Sequence, residues 1–372
     1  MKTYFLGGSA LLAVSGLMTS GACGPVGGGG GESTVSSLTE EPAATMASSS
    51  TTPTSTTGET ATTVPETSSA VPTTSSSGTT GAGGGCGSIC DEFITIEGPV
   101  YVEQTSGVQW ECVSEIIGDL SFLDAGWPPG QFAALRRVTG TISFVGLQFD
   151  LSFLPCLEQV GSLEIGFSTP NLLDLEGLKS LSTIESLLKI TDSPGLTSLG
   201  GLDTLVNGPK RFEIVRNPLL ASFGALSLPS EMDSVILASL PEVTELSLLQ
   251  STKSVVNLRL SDLPKVSSLT DLGSLVSVGR FEMGECTEAN APLGLAGVED
   301  LTGLSALQNV DILSISGNAS LKSLSGAPLL TQVDTIVLVD NPALSEAEIA
   351  AFLAQNPDAS ACAGEVGACQ CP

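Results

Sequence analysis

From Leu163 to Leu344 the apolar residues recur with a period of about 23. A proline two residues ahead of an aliphatic marks each period: Pro170 before Leu172, Pro194 before Leu196, Pro218 before Leu220, Pro241 before Val243, Pro264 before Val266 and Pro342 before Leu344. Ala319 and Ala296 take the proline's place 23 and 46 residues ahead of Pro342, which leaves a step of 32 from Pro264 to Ala296. One period therefore carries nine extra residues (32 − 23), Gly284 to Pro292. A fixed period in this range predicts a solenoid, because one unit cannot bury its apolar face and a stack of units can.

Within each period two spacings alternate. Apolar residues stand six and four positions before the proline, as Leu188 and Ile190, Phe212 and Ile214, Val235 and Leu237, or Leu258 and Leu260 do. Alternation by two predicts a strand. After the proline, aliphatics come every third residue, as in Leu172, Leu175, Leu178 and Leu181. That interval predicts short 3₁₀-like turns rather than an α-helix, which needs mixed threes and fours. Each unit is thus expected to be one strand, a corner and an irregular return. At the C-terminus Ser345 precedes Glu346 and Glu348, an N-cap followed by acids in the first turn, so Ser345 to Asn356 is expected to form a capping helix.

Composition divides the chain. Residues 1–22 read as a signal peptide, with Lys2 before an apolar run from Tyr4 to Met18 that is short for a bilayer span. Residues 23–85 are dominated by Ser, Thr, Gly, Pro and Ala, too few apolar groups to offset ordering entropy, so a disordered tether is expected there. Such a tether has an r.m.s. span of roughly 40–50 Å. Residues 86–111 are expected to be an N-terminal cap, 112–344 the repeats, and 345–372 the capping helix with a Cys-rich tail.

Ser20-Gly21-Ala22-Cys23 is similar to a bacterial lipobox, with Ser20 where leucine is usual, and it also satisfies the small-x-small rule for ordinary cleavage at the same bond. The chain has nine cysteines; lipidating Cys23 leaves eight, an even number that suits an exported protein. Cys86, Cys90 and Cys112 at one end and Cys362, Cys369 and Cys371 at the other are expected to staple the ends of the array. Cys90–Cys112 and one pair within the C-terminal trio are the favoured bridges.

The aliphatic-x-Gly-x-aliphatic-x-aliphatic segments Ile116–Phe122, Val138–Phe144 and Val160–Ile165, with the leucine-every-three return and the Asn-Pro corner, resemble the receptor L domain. The likeness covers residues 110 to about 355 and extends to bacterial surface lipoproteins. It implies a right-handed parallel β-helix, here of nine to ten coils, and binding or adhesion rather than catalysis.

The charge balance, 40 acidic against 13 basic residues and a net −27, argues against nucleic acid and against a basic membrane patch. With no histidine the commonest general base is missing. Asp174, Asp203, Asp271 and Asp300 fall one per coil, in turns, which does not resemble the paired carboxylates of a glycosidase. No catalytic residue, metal site or cofactor is assigned. The outward strand positions carry Lys189, Glu213, Arg259 and Glu282 in one column, with Arg211 and Arg280 in the next. This face reads either as an ion-pair ladder or as a surface for a protein or glycan partner. The expected molecule is a monomer, exported and held to the outer membrane or cell surface through lipid alone, or else secreted. If Cys23 carries the anchor, Cys23→Ser moves the protein from the detergent phase to the aqueous phase in a detergent-partition experiment. Equal detergent partition of the variant rejects the anchor.

Overall fold

The computed structural model describes residues 2–5, 90, 92–102, 110–123, 132–146, 150–166, 171–285 and 294–364. Strands among them are β1 (Lys2–Phe5), β2 (Ile94–Glu97), β3 (Val100–Val102), β4 (Val113–Ile117), β5 (Leu120–Leu123), β6 (Arg137–Val145), β7 (Gln159–Gly166) and β8 (Thr183–Thr191). They continue as β9 (Arg211–Val215), β10 (Glu231–Ala238), β11 (Ser254–Ser261), β12 (Ser277–Met283), β13 (Asn309–Ser316), β14 (Gln332–Val339) and β15 (Ser360–Gly364). All belong to one sheet, every pairing is parallel, and the sheet winds as a β-solenoid of about ten turns. The expected tether lies outside the described residues.

The register is that of the periodic pattern. Leu188, Phe212, Val235, Leu258, Phe281, Leu313 and Ile336 form one inward column, and Ile190, Ile214, Leu237, Leu260, Met283, Ile315 and Leu338 form the other. All are buried. The leucines after each proline close the opposite wall, and three returns tighten into 3₁₀ turns at Glu176–Leu178, Ser247–Leu249 and Thr270–Leu272, as the spacing of three predicts. At the N-terminal end the core changes from leucine to aromatic: Phe122 stacks on Phe144 at 4.9 Å, with Phe132 and Phe153 edge-on to Phe122.

Both ends differ from the simplest expectation. Part of the segment expected to cap the array is itself a coil of it, since β2 pairs with β4 and β3 with β5. At the other end α1 (Glu346–Gln355) has Ser345 as its N-cap, whose Oγ accepts from Glu348 N at 3.2 Å. The chain then returns to the sheet as β15, in register with β14. The helix is therefore the return of the last coil rather than its terminus, and Cys362 sits on a strand. The extra residues fall between β12 and β13, whose register is offset by 32 (Phe281 to Leu313). A Cβ on Gly284, at φ +93°, would collide with the Ser316 carbonyl and stand 3.1 Å from Gly294 Cα, so the two feet of the insertion are neighbours. Residues 286–293 lie outside the described residues.

The corner after each strand from β8 to β14 is made by one residue in the left-handed region: Asp192, Arg216, Ser239, Asp262 and Asp340, at φ of 51 to 55°, with Gly284 and Gly317 in that place after β12 and β13. Next comes a residue that is asparagine in three coils and wholly or partly buried. Asn217 Nδ2 donates to the Ile190 and Val215 carbonyls at 3.1 Å each, and its Oδ1 accepts from Ser193 N at 3.0 Å. Asn318 repeats this on Met283, Ser316 and Leu295, and Asn341 donates to Ile315 and Val339. Asn318 begins a glycosylation sequon, but it is completely buried and its amide is used in the corner.

Cys90–Cys112 is bridged, with Cα atoms 5.6 Å apart, as expected. Cys156, absent from the expected staples, is disulfide-bonded too, as is Cys362. They cannot bond each other, because eight strand steps from β7 to β15 separate them by roughly 38 Å at about 4.8 Å per step. By the same reckoning β12, the strand that precedes Cys286, is five steps from β7, about 24 Å, and Cys286 itself lies outside the described residues. Cys86, Cys369 and Cys371 lie outside the described residues. Cys112 and Cys156 both stand three residues before aligned positions, Glu115 and Gln159, which are two coils apart through Arg137. Cys86, four residues before Cys90, is within reach of that column. Peptide mapping under non-reducing conditions is therefore expected to recover Cys86 joined to Cys156. A Cys156–Cys286 peptide would contradict the register, and a Cys23–Cys156 peptide would eliminate the lipid anchor.

Candidate functional site: the outward sheet face

Side chains between the two inward columns point out of the coil. Lys189, Glu213, Ile236, Arg259, Glu282, Ser314 and Val337 follow one another in register across β8 to β14. Arg211, Ser234, Asn257, Arg280 and Ile312 form the neighbouring outward column. The six residues singled out from the sequence thus share one face, but in two groups that Ile236 separates.

In the first group Lys189 Nζ stands 3.8 Å from Glu213 Oε2. In the second Arg259 reaches Glu282 Oε2 at 3.8 Å and also pairs with Glu285, and Arg280 Nη1 donates to Glu282 Oε1 at 2.8 Å. Glu285 is a foot of the insertion, and its side chain reaches the sheet face at Arg259. The groups are partly exposed, with Glu282 retaining 20% and Arg259 29% of side-chain accessibility. Pairs of this kind contribute a few tenths to about 1 kcal/mol each. Arg211 is exposed and makes no ion pair with a described residue.

The face is not uniformly open. Ser261, Ser314, Ser316, Val337 and Val339 point outward yet are buried, and Val337 and Val339 pack with Cys362 as a small second apolar cluster. Alternation alone does not reveal this, because it reports which side a residue faces and not what lies over that side. The accessible part of the charged face therefore runs from β8 to β12. Within it, three buried polar atoms on the outward side of β11 have no hydrogen-bond partner: Asn257 Oδ1, Arg259 Nε and Ser261 Oγ. They recur every second residue, so they line one side of one strand. Unsatisfied buried polar atoms are uncommon and costly, and each would accept a partner of the right chemistry.

The turn acids have structural employment. Asp174 Oδ1 accepts from Glu176 N, Asp203 Oδ1 from Ala225 N, Asp271 Oδ2 from Leu246 N and Asp300 Oδ1 from Thr302 N. Hydrogen bonds from the Thr302 side chain and backbone lower the Asp300 pKa, as expected for a carboxylate committed to a turn. Among the described residues there is no cluster of three metal-ligating side chains, and no helix is long and apolar enough to cross a membrane. Set against family models and curated proteins, the sequence finds no match.

On the corner side, Arg216 Nε and Nη2 each donate at 2.6 Å to the two oxygens of Asp192. That hydrogen bonding, with the guanidinium charge, holds the Asp192 carboxyl below its usual 3.8 and raises Arg216. A depressed carboxylate contributes stability above its unfolded-state pKa and loses it as pH falls through the folded-state value. Wild type and Arg216→Gln are therefore expected to differ in melting temperature by a constant amount from neutral pH down to about pH 5. The difference should close below 3.8. It corresponds to at most about 1 kcal/mol, since the pair is exposed. A gap that persists at pH 2 in thermal melts would show that Arg216 acts through something other than Asp192.

Proposed function

We propose that this chain is an exported, envelope-tethered binding or adhesion module of the receptor L-domain type, which holds a surface protein or glycan on its sheet face between β8 and β12. The observation that carries this reading is Asn257 Oδ1 on β11, which has no hydrogen-bond partner, beside an exposed Arg211 that makes no ion pair with a described residue. A surface made only for internal ladder contacts has no use for either. The parallel solenoid supports the reading, because it presents a long rigid face on which one partner can meet several coils. Cys23 in its small-residue setting, followed by the Ser/Thr/Gly-rich segment 23–85, supports lipid anchoring with a spacer at the outer membrane or cell surface, with secretion as the other destination. The turn acids, engaged with backbone amides, support a non-catalytic role.

A structural envelope role is the second reading. It is favoured by the complete pairing of Lys189, Arg259 and Arg280 along the ladder. Arg211→Glu combined with Asn257→Ala separates the two readings, because neither change removes an ion pair seen in the fold. A binding face predicts that the double variant recovers fewer discrete partners from envelope extract at unchanged melting temperature. Recovery of every wild-type partner would leave the structural role.

A further inference from the structure

The corner side of the solenoid holds a groove of about 450 Å³, away from the sheet face. One wall is the left-handed column Asp192, Arg216, Ser239 and Asp262, and the other is formed by Pro194, Pro218 and Pro241. Pro194 and Pro218 are exposed, and Leu219 beside them keeps 52% of its accessibility. The groove crosses four coils, about 14 Å at strand spacing. Its charges are unequal. Asp192 and Arg216 neutralise each other through a bidentate pair, whereas the Asp262 carboxylate makes no ion pair with a described residue. The apolar wall therefore ends at a single uncompensated negative charge, in a chain whose net charge is −27.

We propose that this groove binds a proline-rich, basic segment of a partner protein in the polyproline II conformation, with a cation on Asp262. The periods agree: polyproline II repeats every three residues over about 9.3 Å, and two coils span about 9.6 Å. Residues i and i+3 of such a ligand meet equivalent positions two coils apart, at Pro194 and Pro241. A β-strand ligand, repeating at about 6.8 Å, falls out of step after one coil. The ligand is preformed and loses little entropy on docking. The acidic field attracts its charge from a distance. The chain's own Pro-containing segment does not fit, because residues 24–85 carry glutamates and no lysine or arginine.

The test is fluorescence anisotropy of the full chain with a labelled peptide of Lys-Pro-Pro repeats, set against Glu-Pro-Pro and Lys-Gly-Ser peptides. Saturable binding of Lys-Pro-Pro alone is expected, weakening as salt is added. Asp262→Asn should weaken it roughly tenfold, the loss of one charge-assisted contact. Asparagine tolerates the left-handed backbone at this position, so the melting temperature should not change. Arg211→Glu, on the sheet face, should leave peptide affinity as it was, which keeps this result separate from that of the envelope pull-down. The proposal is overturned by absence of saturation with Lys-Pro-Pro, by equal binding of either control peptide, or by unchanged affinity in Asp262→Asn.

Discussion

Every coil must bring the chain back to within one strand spacing, about 4.8 Å, of where the previous coil passed. That closure condition governs the rest of the molecule. It requires the same inward positions in each coil, so a column such as Leu188, Phe212, Val235, Leu258, Phe281 stays continuous across five strands. It also explains where extra residues can go. The insertion between β12 and β13 leaves the register of both strands intact, because Gly284 and Gly294 stand side by side at its base.

Closure also creates a polar problem at the corner, where the chain turns out of the sheet and backbone groups lose ladder partners. The fold uses two solutions. In some coils a buried asparagine supplies the missing bonds, as Asn217 does to the carbonyls of its own coil and the preceding one. In the coils where that position is Leu240 or Leu263, the side chain joins the core instead. There the backbone bonds directly between coils, as Leu240 N does to the Asp262 carbonyl. Both solutions place the preceding residue in the left-handed region, which costs about 1 kcal/mol or more for a residue other than glycine. Aspartate, which tolerates that backbone, fills three of the five non-glycine positions found there.

Outside the corner the charged groups follow the coil spacing as well. Lys189 meets Glu213 one coil away, and Lys265 meets Glu242 at 2.6 Å in the same manner. These contacts fit the stack without holding it together, since exposed pairs contribute little against a buried apolar column running the length of the sheet. The departures from self-pairing are informative for that reason. Arg211 and Asn257 Oδ1 lie on one face and Asp262 on another, so two sides of a self-complementary array each retain unused polar capacity.

The repeat length, the inward columns, the 3₁₀ returns, the insertion's place and the helix cap at Ser345 were legible in the sequence, because each rests on local spacing. The six charged residues from Lys189 to Glu282 were placed on one face for the same reason: alternation determines the side of a strand. Other features were decided only by tertiary structure. Which charges meet depends on what stands opposite, so the double use of Glu282 needed the stack. Burial of Val337 and Val339 on the outward side, and the return of the chain from α1 to β15, depend on segments distant in sequence coming together. Cys156 illustrates the limit: the period assigned it to a coil, but a disulfide answers to distance in space, which one-dimensional spacing reports only along the column.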